Sequence, residues 1–230
     1  MNSGIFVKSI DDFAGHQLEY ETSDTVMVWG KTSKPLKLAS GATHFGYVIS
    51  GSAKLRLKDG RHYDLIQGMY FSVPNECMIE GGEGIVFSKS DFHGVFLLGG
   101  PLCEDSTFEY LPGCVDSILI PPIFRGDPCL NFLNTTKGTL QPVHTHPSYR
   151  IGFVISGYGW EVSDAPKIIT ELKVRDIFFV APWQEHAFET RDADLKFIVF
   201  HPNSDYGPTK DDHPLINQTF VNGHRANLAI

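Results

Sequence analysis

The sequence lacks any apolar run long enough to span a bilayer, for which about 20 consecutive residues are needed. The first residues, Met1 to Val7, also lack the charged region and the apolar core of a signal peptide. The four cysteines show neither a CxxC pair nor a secretory context, so we interpret them as reduced thiols. We therefore expect a cytoplasmic protein without a membrane partner.

A basic surface stripe is also lacking. The formal net charge is −8, and lysine and arginine do not cluster in a way that could release counterions from nucleic-acid phosphates. We expect no nucleic-acid partner.

No amphipathic helical pattern exceeds about two turns. Short apolar segments with period-2 alternation, ended by glycine or proline, are present instead, together with 17 phenylalanines. These features predict an all-β fold.

An internal repeat organises the chain. Three segments of the first half recur in the same order in the second half: Gly46–Gly51 as Gly152–Gly157, Gly68–Pro74 as Asp176–Pro182, and Ile85–Phe87 as Ile198–Phe200. Three ordered matches with slowly growing offsets indicate a duplicated unit with small loop insertions. We predict an amino-terminal unit at 1–100, a connecting segment at 101–137, a carboxy-terminal unit at 138–204 and a wrapping tail at 205–230.

Three histidines of the second unit form a candidate metal site. His144 and His146 are spaced i, i+2 in an extended segment, so their side chains point to the same side of the chain. His186 lies on a second strand-like segment. Three neutral imidazoles suit iron(II), zinc, nickel, manganese, cobalt or copper. The alternative is three unrelated polar histidines in a barrel that binds no metal.

These residues resemble the two motifs of the cupin superfamily. The first motif is matched by His144-Thr145-His146-Pro147 and the strand ending at Gly157, and the second by Pro182 and His186. With the duplication, the chain is similar to a two-domain cupin (bicupin), which implies two tandem jelly-roll-like antiparallel β-barrels. The resemblance also implies one bound divalent transition metal, with iron(II) favoured. Exposed sheet edges and the habit of the superfamily lead us to expect a homodimer.

The amino-terminal unit departs from the motif pattern. Leu38 and Ser40 stand at the positions equivalent to His144 and His146, and Met78 stands where the counterpart of His186 is expected. We therefore predict that the amino-terminal barrel is degenerate and that it binds no metal.

Arg150 replaces the glutamate ligand of the first motif. Strand parity places Arg150 on the face of Gly152 and Val154. A guanidinium about 6 Å from a divalent ion, at an effective dielectric near 20, is repelled by about 5 kcal/mol, so an anion between them is favoured. Arg150 thus predicts a substrate carboxylate, unless it is a surface arginine and a shifted register turns Tyr149 inward instead. His201 either lines the pocket or forms a solvated strand end.

The function we favour is a metal-dependent enzyme that acts on a small anionic organic molecule. The resemblance makes a dioxygenase the first choice among oxidoreductases. An isomerase or lyase of the cupin type is the nearest alternative, and a non-catalytic sensor that binds a small ligand is another. The sequence assigns no catalytic residue beyond the metal ligands and the substrate-binding candidates Arg150, Tyr149 and His201.

Overall fold

A computed structural model of the chain describes residues 5–13, 18–19, 24–30, 32–104, 108–163, 168–204 and 206–225. The described part is almost entirely antiparallel β-structure, which confirms the predicted all-β class. None of the helices in these ranges is long and apolar enough to cross a membrane.

Apart from the first strand, which joins the large sheet of the second half, the strands of the first half form a six-stranded and a four-stranded sheet. They are β1 (Ile5–Ser9), β2 (Leu18–Glu19), β3 (Thr25–Trp29), β4 (Leu36–Leu38), β5 (Ala42–Ser50), β6 (Ser52–Leu57), β7 (His62–Ile66), β8 (Tyr70–Pro74), β9 (Cys77–Glu80), β10 (Glu83–Ser90) and β11 (Leu97–Gly99), with a 3-10 turn at Ile10–Phe13. The six-stranded sheet has the order β11-β8-β5-β10-β3-β2, and the four-stranded sheet has the order β4-β9-β6-β7. Apolar side chains of both sheets fill the space between them.

Eight strands of the second half form a nine-stranded sheet together with β1, and two more form a small hairpin. The eight are β12 (Phe108–Leu111), β13 (Cys114–Ile120), β14 (Cys129–Thr135), β15 (Arg150–Ser163), β16 (Ile168–Lys173), β17 (Asp176–Val180), β18 (Ala187–Glu189) and β19 (Leu195–His201). The one-turn helix α1 (Pro214–Asn217) precedes the hairpin of β20 (Phe220–Val221) and β21 (His224–Arg225). The main path of the large sheet is β1-β17-β15-β19-β14-β13-β12, and the long strand β15 also pairs with β16 and β18.

The large sheet draws strands from distant parts of the sequence. Strand β1 pairs antiparallel with β17, and β12 to β14 lie in the stretch that we expected to connect the two units. Strand pairing alone does not define domains, so the boundaries after residues 100, 137 and 204 stay predictions.

Equivalent glycines mark the repeat in the two halves. Gly46 of β5 lies opposite Phe71 of β8, and Gly152 of β15 lies opposite Phe178 of β17. A Cβ at either glycine would overlap the facing ring. Phe178 is therefore the structural equivalent of Phe71. The match of Gly68–Pro74 with Asp176–Pro182 in the sequence predicts Phe179 at that position. The shift arises because two adjacent aromatic residues match the repeat equally well by sequence.

The two halves share a core through the outer faces of their sheets. Phe200 contacts Phe45 and Phe87, with ring centroids 5.2 and 5.5 Å apart. Ile151 and Phe153 face this shared core, while the intervening residues of β15 face the interior of the carboxy-terminal sheet. Burial on both faces explains why the sequence of β15 is apolar without alternation. By the same alternation, Arg150 lies on the face of Val154, which lines the interior of the carboxy-terminal sheet.

Candidate metal centre

His144, His146 and His186 converge at one end of the carboxy-terminal sheet. The backbones of His144 and His186 form an isolated antiparallel bridge, with both N–H groups donating to the opposite carbonyl over 3.0 Å. The ring centroids lie 4.4 Å apart for His144 and His186, and 5.0 and 5.1 Å from His146. Among the described residues these three form the group whose ligand atoms, all within 4.8 Å of one another, could hold a metal ion.

Backbone carbonyls fix the tautomers of two of these rings. The Nδ1–H of His144 donates to the carbonyl of Pro142, and the Nδ1–H of His186 donates to the carbonyl of Gln184, both over 2.9 Å. Each ring then presents its unprotonated Nε2 as a ligand atom. This arrangement orients metal-binding histidines in proteins generally, so the donor set fits a divalent transition metal.

Burial and neighbouring charge keep the imidazoles of His146 and His186 neutral. Burial lowers the pKa of His146 to about 3, with smaller contributions from Arg150, His186 and His144. Burial also lowers the pKa of His186 to about 4. A neutral imidazole is the form that binds a metal. At neutral pH these two ligands need not release a proton before binding.

The three rings open onto a cavity of about 650 Å³ inside the carboxy-terminal sheet. A cavity of this size suits a small-molecule ligand. Its walls are mainly apolar and include Leu133, Phe178, Val180, Phe188, Phe197 and Val199. Such walls favour a ring or an alkyl chain over a strongly hydrated molecule.

Arg150 and His201 are the basic residues of the cavity wall beside the three histidines. The Arg150 Nη1 group donates to Ser148 Oγ over 2.7 Å, and to the carbonyls of Ser148 and Tyr149 over 3.1 and 3.0 Å. His201 lies beside Arg150 on the neighbouring strand β19. Burial, and then Arg150 and His146, hold the pKa of His201 well below its usual range. The wall therefore carries the fixed positive charge of Arg150.

Tyr149 lies on the opposite face of the chain from Arg150. It is not among the cavity-lining residues. Its hydroxyl donates to Asp24 Oδ2 over 2.6 Å, and its ring contacts Phe179 at a centroid distance of 5.8 Å. The register therefore turns Arg150 inward and places Tyr149 between the two halves of the molecule.

The sequence does not predict a hydrogen-bonded polar pair on the cavity wall. Asp116 of β13 and Asn131 of β14 line the cavity. Burial raises the pKa of Asp116 to about 6, and the hydrogen bond from Asn131 lowers it in part. The available signal was that each polar residue stands two positions before an apolar residue of the same strand face, Ile118 on β13 and Leu133 on β14. This pattern does not show which face of the strand is inward, because that depends on which strands β13 and β14 pair with.

The equivalent site of the amino-terminal unit contains different residues. Leu38 lies opposite Cys77 in the β4–β9 pair, as His144 lies opposite His186. The structural counterpart of His186 is thus Cys77, one residue before the position expected from sequence. Leu38 and Cys77 are both buried, whereas Ser40 is exposed. That this unit binds no metal stays a prediction.

The buried histidine of the amino-terminal unit has protein partners. His44 is 1% exposed, its Nδ1 lies 2.8 Å from Ser88 Oγ, and its Nε2 lies 2.9 Å from the carbonyl of Ala39. One nitrogen of the neutral ring donates and the other accepts. This histidine is satisfied by hydrogen bonds within its own unit.

Comparisons with known proteins identify the fold. No protein-family model and no curated protein sequence matches the chain. Among solved structures, a cupin 2 conserved barrel domain protein from Leptotrichia buccalis matches with a TM-score of 0.59 and 11% identity, over 86% of this chain and 89% of that one. A salicylate 1,2-dioxygenase from Pseudoaminobacter salicylatoxidans in adducts with gentisate matches with a TM-score of 0.59 and 11% identity, over 78% of this chain and 67% of that one. The fold is that of cupin β-barrel proteins.

Proposed function

We propose that the protein is a metal-dependent enzyme of the cupin type that acts on a small organic acid, and we favour a dioxygenase reaction. The observation that carries the proposal is that three converging histidines and Arg150 line one largely apolar cavity. Support also comes from the structural neighbours, since one of them is a dioxygenase crystallised with gentisate. The activity of that neighbour is used only as an analogy, and the proposal rests on the geometry of the site in this protein.

His144, His146 and His186 would hold one divalent transition metal, with iron(II) favoured. When bound, such an ion would supply Lewis acidity and, as iron(II), reactivity toward dioxygen. The protein's own contribution is to fix the tautomers of His144 and His186 by backbone hydrogen bonds, and to lower the pKa of His146 and His186 by burial.

Arg150 would bind the substrate carboxylate. Its guanidinium is held in the cavity wall by Ser148 and by the carbonyl of Tyr149. A divalent ion held by the three histidines would repel this guanidinium, and an anion between the two charges would remove that repulsion. The anionic group of the substrate would therefore lie between the three histidines and Arg150, with His201 as a neutral neighbour.

The apolar walls would hold the remainder of the substrate. Phe178, Phe188 and Phe197 pack edge to face or tilted against one another, with centroids 4.9 to 5.4 Å apart. Aromatic walls of this kind bind a planar ring and exclude water from the reacting atoms. A small aromatic acid is the substrate class that fits these features best.

The remaining expectations belong to the same proposal. The chain would be a bicupin whose carboxy-terminal barrel binds the metal and whose amino-terminal barrel is degenerate. The protein would act in the cytoplasm as a homodimer.

Oxygen uptake tests the proposed reaction. The chain is loaded with iron(II) without oxygen and is then mixed with aerated solutions of aromatic carboxylic acids. We expect acid-dependent oxygen consumption by the parent and by His62→Ala, in which an exposed histidine outside the site is changed. His146→Ala should abolish the uptake. An iron-loaded parent that consumes no oxygen with any acid that it binds would remove the dioxygenase assignment.

A further inference from the structure

A carboxylate lies on the cavity wall formed by the strands beyond β19. Asp116 of β13 and Asn131 of β14 both line the cavity. The Nδ2 group of Asn131 donates to both carboxylate oxygens of Asp116, each over 3.1 Å. Asn131 is 7% exposed, whereas Asp116 is only partly buried. The carboxylate is thus fixed in place by a buried amide and remains in contact with the cavity.

The pair is a poor choice for packing alone. Since the amide nitrogen of Asn131 faces the carboxylate, its Oδ1 faces elsewhere, and this buried oxygen has no hydrogen-bond partner among the described residues. A buried unsatisfied oxygen destabilises a fold, and two apolar residues would fill the same space without that penalty. An arrangement of this kind is expected where a polar group serves a ligand.

Asp116 can accept more hydrogen bonds than it receives. An ionised carboxylate offers about four acceptor positions. Within the described ranges, Asn131 is the group that donates to Asp116. The raised pKa of about 6 leaves the carboxyl ionised at neutral pH, so it acts as an acceptor and repels a second anion. A hydroxyl group of a ligand is a complementary partner.

The strand order sets the distance between this carboxylate and the basic part of the site. Val199 of β19 lies between Gly152 of β15 and Asn131 of β14 in the sheet. Register places Asp116 level with Val154, four residues along β15 from Arg150. Since strands are about 4.8 Å apart and each residue rises about 3.4 Å, the two backbones lie about 14 Å apart across the sheet and about 14 Å apart along it. Side chains reaching inward from both ends shorten this gap to about the length of a substituted ring with a hydrogen bond at each end. The wall between them is apolar.

We infer that Asp116 accepts a hydrogen bond from a substrate hydroxyl group remote from the carboxylate that Arg150 binds. Asn131 is the positioning residue that holds Asp116. The inference rests on the proposed function, and it narrows the substrate class to hydroxylated aromatic acids whose hydroxyl and carboxylate groups lie at opposite ends of the ring. Acids with a second carboxylate at that end are excluded by charge.

4-Hydroxybenzoate and benzoate provide a matched pair of probes, since they differ by one hydroxyl group at the ring position opposite the carboxylate. Their dissociation constants are measured calorimetrically, without oxygen, on the metal-loaded protein. A hydrogen bond to the partly buried carboxylate of Asp116 predicts that the parent binds 4-hydroxybenzoate at least about tenfold more tightly than benzoate. In Asp116→Leu the ratio should fall below about twofold. In Asn131→Leu it should fall to an intermediate value.

Metal content serves as the measure of folding for each variant. If Asp116→Leu does not retain metal, the ratio is read in Asp116→Asn, where it should fall at least about threefold because one acceptor becomes a donor. Equal binding of both acids to the parent, or an unchanged ratio in a metal-loaded Asp116 variant, would overturn the inference and leave the proposed function standing. Failure of the metal-loaded parent to bind either acid would overturn both.

Discussion

The hydroxyl of Tyr149 donates a hydrogen bond to Oδ2 of Asp24 over 2.6 Å, and so joins the strand that carries Arg150 to the first half of the chain. Asp24 is 2% exposed and also accepts from Lys89 Nζ and from the N–H of Ser90, each over 2.9 Å. A residue next to the proposed substrate anchor is thus held by a buried carboxylate of the other half.

This contact predicts a pH-dependent effect of Tyr149→Phe. Burial raises the pKa of Asp24, but the hydrogen bonds from Tyr149, Lys89 and Ser90 lower it more, so the net shift is downward. A lowered pKa in the folded state stabilises the fold above the unfolded pKa, and this stabilisation is lost as the pH falls through the folded pKa. We expect Tyr149→Phe to lower the free energy of unfolding by about 1.5–3 kcal/mol at pH 7.

Chemical denaturation of Tyr149→Phe between pH 2 and 7 measures this effect, with pH points chosen about the ordinary pKa of aspartate. The loss should shrink below that pKa. Tyr158→Phe on the same strand is the matched control, and its stability should change by less than about 0.5 kcal/mol. A loss that is equal at both ends of the pH range would show that the Asp24 charge plays no part.

Arg150 predicts a selective loss of acid binding. Arg150→Gln removes the positive charge and should weaken binding of aromatic carboxylates by about 10- to 100-fold, the range expected for a charged hydrogen bond. Metal content should not fall, because the positive charge of Arg150 lowers the pKa of His146 and His201 and would repel a metal ion rather than bind it. Arg191→Gln, at an exposed arginine over Trp160, is the control. Unchanged acid affinity in metal-loaded Arg150→Gln would remove the anchor.

Glu161 predicts a stability that falls as the pH rises. Its side chain is 0% exposed, and Ser163 Oγ donates to its Oε1 over 3.0 Å. Burial raises the pKa of Glu161 to about 7, above the unfolded value, so the folded state holds a proton that the unfolded state releases. The fold is therefore most stable below the unfolded pKa, and it loses up to about 3 kcal/mol as the pH rises through 7.

Glu161→Gln should remove this dependence. The variant should gain stability relative to the parent on going from pH 4 to pH 8, by an amount on the order of 3 kcal/mol. Thermal or chemical unfolding at the two pH values measures it. A stability difference that does not change with pH would mean that Glu161 titrates normally.

The two equivalent glycines predict a matched pair of substitutions. A methyl group at Gly46 or Gly152 would overlap the ring of Phe71 or Phe178. Each alanine variant should therefore lose about 1–3 kcal/mol of stability through overpacking. Only Gly152→Ala displaces a ring that lines the cavity, so only this variant should also change acid affinity. An equal effect of both variants on acid affinity would contradict the assignment of the cavity to the carboxy-terminal sheet.

The sequence predicts those parts of the site that depend on local geometry. The i, i+2 spacing places His144 and His146 on one side of an extended chain whatever its partners are. Alternation along β15 likewise puts Arg150 on the same face as Gly152 and Val154, and Tyr149 on the opposite face. The all-β class follows from the same alternation.

The parts that depend on distant pairing could not be predicted. Asp116 and Asn131 become cavity residues only because β13 and β14 extend the sheet beyond β19. The pairing of β1 with β17 joins residues far apart in sequence. The equivalence of Cys77 and His186 depends on the lengths of the preceding turns, where Asn75 and Trp183 have positive φ angles of 67° and 60°. Matching the two repeats by sequence gives a register that is wrong by one residue before this turn, because Phe178 and Phe179 match Phe71 equally well.

The metal content of the purified protein tests the central claim most directly. Protein made without a histidine tag is analysed for transition metals, beside His144→Ala, His186→Ala and the control His62→Ala. The account predicts close to one ion per chain in the parent and in His62→Ala, and a large loss in both site variants. Less than about 0.2 ions per chain in the parent after incubation with iron(II) or zinc, unchanged in the site variants, would contradict it.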